Sequence, residues 1–330
     1  MFGIAPFAEM FRSPVTSLLV LAVLAALACA ALAIGVLAAT GRAPPALQRE
    51  LWLRLGSWGV LLPLMIGPVL AGKGWVILAV TLLGVLCLRE YSRATGLFRE
   101  PVIQLVALLG LLLVNAAALD HWYGFFTALT PLTVTALAVA SIPLDRPGGY
   151  IQRTGLGIFG FLLFGAGLAH LGYMANDPGY RPLILLLLLA VALSDVMAFT
   201  VGKLLGGPKL LPATSPGKTV SGALGALLIT TAVVAGLAHL IFAGTVFDRL
   251  PLLLLLGALV GVAAQAGDLM LSSIKRDLGI KDMGVILPGH GGILDRFNSL
   301  LLVAPVSYHL IGYYLGFGLD QPIRVFTGPG

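Results

Sequence analysis

Long apolar segments dominate this chain, and they leave few folds open to it. About ten of them approach or reach the roughly 20 residues with which a helix crosses a hydrocarbon core of about 30 Å. They are residues 15–39, 55–72, 74–88, 102–119, 124–143, 154–175, 182–202, 219–243, 250–271 and 299–318. Because lipid offers no hydrogen-bond partners, the backbone must satisfy itself within helices there. The sequence therefore predicts an all-α fold, a polytopic transmembrane helical bundle of about 9–10 spans.

Composition excludes a soluble globular domain. Of the 330 residues, 58% are hydrophobic and 10% are charged, and the mean hydropathy is +1.01. Soluble domains carry roughly 25% charged residues, so this chain has too little charge to cover a surface in water. The net charge of +6 is best explained by basic loops, and no pattern typical of nucleic-acid binding is present. We expect membrane lipids as partners and no nucleic acid.

The basic residues indicate an orientation in the membrane. They are concentrated in alternate loops, and the intervening loops are poorer in them. The basic loops contain Arg42, Arg49 and Arg54, then Arg89, Arg93 and Arg99, then Arg146 and Arg153, then Lys203, Lys209 and Lys218, then Lys275, Arg276, Lys281 and Arg296. Basic loops face the cytoplasm in membrane proteins. We predict a multi-pass protein of the bacterial inner (plasma) membrane with these loops inside.

One polar segment, residues 267–299, is dense enough in charge for chemistry. It mixes carboxylates such as Asp268 with basic residues such as Lys275, and glycines surround His290. Carboxylate oxygens bind magnesium, and lysine and arginine bind phosphate oxygens. Glycines allow close approach of the backbone to a ligand. The combination predicts a metal-assisted reaction on phosphates.

A second polar segment, residues 195–219, precedes the first by two predicted spans and so lies on the same membrane face. Ser215, Lys218 and Thr219 stand just before a predicted helix, whose N-terminus is a natural anion site. The spacing is not that of a Walker A motif. Asp195 is an intramembrane acid, which is costly and often functional, although it could instead bond a neighbouring helix. Lys203 could be an ordinary anchor at the interface.

These residues resemble the signature of the phosphatidate cytidylyltransferase family, also called CDP-diacylglycerol synthases. The signature is present as Ser272, Lys275-Arg276, Lys281-Asp282, Gly284, Gly289-His290-Gly291-Gly292 and Asp295-Arg296. An upstream pattern is present as Asp195, Ala198, Phe199, Gly202, Lys203, Ser215, Pro216, Lys218 and Thr219. The N-terminal spans resemble the family only in hydropathy. We therefore divide the chain into N-terminal transmembrane helices, residues 1–180, and a C-terminal catalytic region, residues 181–330.

The resemblance implies a nucleotidyltransferase that moves CMP from CTP to phosphatidate and releases pyrophosphate. It implies Mg²⁺, alone or with a second cation, and a homodimer is a further expectation. The implied catalytic residues are Asp268, Lys275, Lys281, Asp282, His290, Asp295 and Arg296, with Asp268, Asp282 and Asp295 as metal ligands. The implied substrate-binding residues are Lys203, Ser215, Lys218, Thr219, Gly291 and Gly292.

Two positions depart from the family pattern, and other functions stay open. Leu271 and Asn298 stand where many members have acids. Asparagine still offers a carbonyl oxygen to a metal, and leucine offers none. The alternatives are a membrane transporter, a related polyprenol or lipid kinase, and a weakened paralogue that only binds CTP or lipid.

Overall fold

The computed structural model describes residues 2–41, 44–286, 291–316 and 324–328. Its α-helices are α1 Phe7–Met10, α2 Pro14–Ala39, α3 Pro45–Ala71, α4 Lys73–Thr95, α5 Pro101–Leu119, α6 Tyr123–Ala140, α7 Tyr150–Gly160, α8 Leu168–Met174, α9 Tyr180–Leu205, α10 Val220–Phe242, α11 Leu250–Asp277, α12 Leu294–Phe297 and α13 Leu300–Leu315. A π-helical stretch, Phe161–Gly167, joins α7 to α8. Within the described residues, nine helical segments are long and apolar enough to cross a membrane. The predicted all-α polytopic bundle is confirmed.

The observed helix bounds differ most from the predicted spans at the start of α3 and at the ends of α4 and α11, which reach residues 95 and 277 where 88 and 271 were predicted. Helix α3 begins at Pro45, ten residues before the predicted start at residue 55. The prediction followed hydropathy, and the first turns of this helix are polar. Proline fits the first turn of a helix, and Glu50 and Arg54 form an ion pair one turn apart. Helix α13 has 16 residues and a length of only about 24 Å. It corresponds to the tenth predicted span and is shorter than the nine spanning segments.

Two groups of helices make the body of the bundle. Helices α4, α5 and α8 pack together with the π-helical stretch around a buried apolar core. Helix α9 packs along α10, which in turn packs along α11. Glycines bring these last helices close, since a Cβ added at Gly257 of α11 would lie 2.6 Å from the carbonyl oxygen of Thr231 on α10. Close packing through small residues is typical of helices in lipid.

A short β-hairpin between α9 and α10 was not predicted. Strand β1, Lys209–Leu211, pairs antiparallel with strand β2, Ser215–Thr219. The hairpin ends where α10 begins, and the Thr219 hydroxyl accepts a hydrogen bond of 3.1 Å from the Gly222 N–H. Thr219 is therefore the N-cap of α10, and the predicted helix start after this residue is confirmed. The hairpin carries Lys218 on strand β2, one residue before α10 is capped.

The C-terminal residues 324–328 dock on the loop between α5 and α6. The Asp120 carboxylate accepts hydrogen bonds from the Phe326 N–H and from the Thr327 N–H and hydroxyl. The Arg324 guanidinium lies 4.6 Å from the centroid of the Trp122 ring. This charged contact fixes the C-terminal residues to the end of the bundle opposite the hairpin.

We expect this docking to resist moderate acid. Burial alone would raise the pKa of Asp120, but hydrogen bonds from Thr327 and Phe326, together with Arg324, hold the pKa below its ordinary value of 3.8. A carboxylate with a lowered folded pKa stabilises the docked state above the ordinary value, and this stabilisation is lost as pH falls through the lowered pKa. Amide hydrogen exchange at Phe326 and Thr327, corrected for intrinsic rates, should show constant protection between about pH 5 and pH 8.

The matching variant is Asp120→Asn, which should reduce that protection at neutral pH. The control is Asp145→Asn, at an exposed position in another loop. Equal protection in the Asp120→Asn variant and the unaltered protein would contradict the assigned contact.

Candidate active site

Asp268 lies at the centre of a polar cluster. It is carried by α11, and its carboxylate forms an ion pair with Lys218 of strand β2. It also accepts a hydrogen bond of 2.7 Å from the Asn298 amide. The residue before it must be small, because a Cβ added at Gly267 would lie 2.6 Å from the carbonyl oxygen of Asn298. The two polar segments predicted from the sequence therefore meet at Asp268.

Asp195 of α9 belongs to the same cluster. It interacts electrostatically with Asp268, with Lys218 and with Arg296. The Asp195 side chain is exposed, whereas Asp268 and Lys218 are half-buried. The sequence left open a purely structural role for Asp195, a hydrogen bond to a neighbouring helix. The structure places it within electrostatic range of a second carboxylate and two cationic side chains, groups of the kind that hold metal ions and phosphates.

A second ion pair lies beside this cluster. The Lys275 ammonium donates a hydrogen bond of 2.8 Å to Oδ1 of Asp295, and these two side chains are 15% and 3% exposed. Oδ2 of Asp295 accepts hydrogen bonds from the Met283 N–H, at 2.8 Å, and from the Gly292 N–H, at 3.0 Å. With both oxygens engaged, Asp295 ties α11 and the loop after it to α12. Its described contacts suit a positioning residue better than a metal ligand.

Glu90 is a site residue that the sequence analysis missed. This buried side chain of α4 is 4% exposed and accepts hydrogen bonds from two backbone groups at the start of α12. The distances are 3.0 Å from the Ile293 N–H and 2.8 Å from the Leu294 N–H. The N–H groups of a first helical turn lack partners within the helix, so a carboxylate there both caps and stabilises it.

Glu90 also explains two glycines of the signature. A Cβ added at Gly284 would lie 2.5 Å from one Glu90 oxygen, and a Cβ added at Gly292 would lie 2.5 Å from the other. The glycines are therefore needed to let the loop close over the carboxylate. One signal in the sequence could have revealed Glu90, since an acid near the end of an apolar span is unusual.

The other predicted residues have varied surroundings. Lys281 and Asp282 are exposed on the loop after α11. Gly291 has φ +81°, and a Cβ there would lie 3.1 Å from Asp282 and 3.2 Å from Asp295. Lys203 is exposed at the end of α9, with its ammonium 5.7 Å from the centroid of the Phe199 ring.

Three further residues predicted from the sequence are Ser215, Thr219 and His290. Ser215 begins strand β2, at the far end of the hairpin strand from Thr219. The Thr219 hydroxyl is engaged in capping α10, so its described role is structural. His290 lies outside the described residues.

Comparison with known proteins decides the family. Residues 52–314 match the Cytidylyltransferase family, which is most of the chain. The chain belongs to this family. The prediction of a nucleotidyltransferase, made from the resemblance, is thereby confirmed.

Individual relatives of this cytidylyltransferase are similar over most of their own length. The phosphatidate cytidylyltransferase of Bacillus subtilis is 33% identical over 264 residues, which cover 74% of this chain and 92% of that protein. That of Staphylococcus saprophyticus is 30% identical over 242 residues, with 72% and 91% covered. The Escherichia coli protein YnbB is 30% identical over 282 residues, with 82% and 91% covered.

The donor set of this cytidylyltransferase fits magnesium. Asp195 and Asp268 offer hard carboxylate oxygens close enough to interact, and two neighbouring carboxylates favour a bound cation. Among the described residues, no group of three or more His, Cys, Asp or Glu side chains is close enough to hold a metal. The predicted set of Asp268, Asp282 and Asp295 is therefore not gathered at one point. Two acids are enough for Mg²⁺, which is usually held by one or two carboxylates together with substrate phosphates.

The two departures from the family pattern lie in different environments. Leu271 is fully buried in the apolar core, so its side chain is not exposed at the site. Asn298 lies against Asp268 and also accepts a hydrogen bond of 2.8 Å from the Ser299 N–H. An amide can donate to Asp268, whereas a carboxylate there would repel it. Asn298 therefore holds the Asp268 carboxylate by a hydrogen bond, whereas two carboxylates at these positions would need a cation between them.

Proposed function

We propose that this cytidylyltransferase transfers CMP from CTP to a lipid phosphate, with phosphatidate as the acceptor. The products are CDP-diacylglycerol and pyrophosphate. The observation that carries this proposal is the cluster of Asp195, Asp268, Lys218 and Arg296 at one end of membrane-spanning helices. A diacyl lipid does not leave the bilayer readily, so its headgroup must meet CTP at such an interface. Relatives that bear the name phosphatidate cytidylyltransferase support the choice of acceptor.

The reaction needs little covalent chemistry from the protein. A phosphate oxygen of the lipid attacks the α-phosphorus of CTP, a new P–O bond forms, and the bond to the bridging oxygen breaks as pyrophosphate leaves. The attacking oxygen is already anionic, so no strong general base is required. The barrier comes largely from repulsion between two phosphates, which positioned cations lower.

Each group of the site has a proposed task. Lys218 and Arg296 neutralise phosphate oxygens, with Lys281 available from the exposed loop. Asp195 and Asp268 would hold Mg²⁺, which, when bound, neutralises charge on the phosphates. Glu90 fixes the start of α12 to α4, and Asp295 fixes α12 to α11 through Lys275. Roles for His290 and for the exposed Lys203, Ser215 and Asp282 are predictions from the family resemblance.

The proposal places the site on the cytoplasmic side of a bacterial inner membrane. Its support is the basic character of this end of the bundle, where Lys203, Lys218, Lys275 and Arg276 are found. A homodimer and the division at residue 180 stay predictions from the sequence. Glu90 is relevant to the division, since it comes from the N-terminal region and yet bonds to α12 in the C-terminal region.

A labelled-nucleotide assay tests the reaction. With purified protein, Mg²⁺ and phosphatidate, CTP labelled at the α-phosphorus should give a labelled lipid, whereas CTP labelled at the γ-phosphorus should give labelled pyrophosphate only. Chelation of the metal should reduce both products to background, and added Mg²⁺ should restore them, because phosphates without a cation repel each other.

The labelled-nucleotide assay, a liposome flux assay and a CTP-binding assay separate the alternatives. Label from the γ-phosphorus in the lipid would indicate a kinase and would contradict the proposal. Flux of a solute across liposomes in the absence of CTP would indicate a transporter. CTP binding without any labelled lipid, over a panel of lipid phosphates, would indicate a weakened paralogue.

A further inference from the structure

An apolar groove runs along α4 beside the candidate active site. It has a volume of about 400 Å³ and is bordered by α3, α4, α9 and the short helix α12. The side chains that line it are apolar except for the indole N–H of Trp75, which donates to the Phe2 carbonyl. Its volume lies within the range of roughly 300–1,000 Å³ that is usual for small-molecule sites. Leu64 and Leu82 on its rim are exposed on the outer surface of the bundle, where lipid is the solvent.

The length of the groove matches one leaflet of a bilayer. Along α4 it extends from Trp75 to Leu86, which at 1.5 Å per residue is about 16 Å. Half of a hydrocarbon core of roughly 30 Å is about the same distance. Glu90 follows Leu86 by one helical turn, so α4 leads directly from the groove to the site.

Helix α12 is shared by the groove and the site. Ile293, just before it, and Phe297, at its end, line the groove. Asp295, between them, accepts the Lys275 hydrogen bond, and the neighbouring Arg296 interacts with Asp195. A hydrocarbon chain in the groove would therefore contact the same short helix that bears two charged site residues.

We propose that this groove binds one acyl chain of the lipid phosphate acceptor, an inference that rests on the proposed CMP transfer. Water-soluble phosphates have no group that would fill an apolar groove, so the groove selects for a lipid. A chain held against Ile293 and Phe297 orients the attached phosphate towards Asp195, Asp268 and Lys218. Positioning of this kind lowers the entropic part of the barrier.

Filling the groove tests the proposal. Ala79 of α4 lines it, and Ala79→Phe would place a ring where the chain lies. With long-chain phosphatidate, the variant should show a kcat/KM about tenfold lower than that of the unaltered protein, since two or three methylenes lose their apolar contacts. With dihexanoyl phosphatidate, whose chains are too short to fill the groove, kcat/KM should stay within about twofold. The matched control is Ala116→Phe, at an exposed position of α5 away from the groove.

A labelling experiment that does not depend on turnover separates this inference from the proposed reaction. Phosphatidate with a photoactivatable group at the end of one chain should label peptides of α3 or α4, and Ala79→Phe should reduce that labelling. Equal labelling by phosphatidylcholine would overturn the inference, because the groove would then hold bulk lipid. An equal loss of activity with long and short chains, or no loss with either, would also overturn it. Labelling at the groove together with no CMP transfer to any lipid phosphate would overturn the proposed reaction alone.

Discussion

Asp268→Asn should lower CMP transfer about 1,000-fold while the protein stays folded in detergent. The carboxylate pairs with Lys218, accepts from Asn298 and interacts with Asp195, so it links three other groups of the site. Asparagine keeps the shape but removes the charge that holds both a cation and the lysine. Loss of one charged group that stabilises a phosphoryl transition state costs about two to three orders of magnitude or more. The measurement is kcat with CTP and phosphatidate at saturating Mg²⁺.

The control for this variant lies on the same helix. Asp277→Asn makes the identical chemical change at an exposed position at the end of α11 and should leave kcat within about twofold, as isolated surface charges contribute little. A Lys218→Met variant should lose activity as well, because the same ion pair is broken from its other side. Full turnover by Asp268→Asn, with metal dependence unchanged, would contradict the proposed role of this carboxylate.

Glu90→Ala should both destabilise the protein and slow the reaction. The substitution leaves one buried and one partly buried N–H group at the start of α12 without this acceptor, at an expected cost of about 3 kcal/mol in the free energy of unfolding. Helix α12 carries Asp295 and Arg296, and a shift of about 1 Å in such groups can reduce a rate roughly 100-fold. Denaturation in detergent micelles gives the first quantity, and the labelled-nucleotide assay gives the second.

Two further variants isolate the cause. Glu90→Gln keeps one carbonyl acceptor and should show an intermediate loss of stability. Glu50→Ala removes an exposed glutamate that pairs with Arg54, and it should change stability by about 0.5 kcal/mol or less. If Glu90→Ala were as stable and as active as Glu50→Ala, the described capping of α12 would be wrong.

The motif residues were predictable because their chemical character is visible in the local sequence. Asp268, Lys275 and Asp295 stand out as charges next to apolar spans, and their mixture with glycines indicates phosphate chemistry whatever the fold. Which acid partners which cation was not predictable. Asp268 pairs with Lys218, fifty residues earlier, and Lys275 pairs with Asp295, twenty residues later. The predicted three-acid metal set differs from the observed clusters for this reason, since spacing along the chain does not fix distances across helices.

The sequence by itself determined the solvent of this protein, and it predicted that two polar segments lie at the same end of the bundle, where Lys218 and Asp268 pair. Hydropathy and the shortage of charge left only membrane-spanning helices, because unpaired backbone groups are too costly in lipid. Only the tertiary structure decided how distant segments combine. Glu90, two hundred residues from α12, caps that helix, and the apolar groove along α4 ends beside the charged cluster. These features depend on which helices touch, and packing between helices in lipid is set by the shapes of small and large side chains on several elements at once.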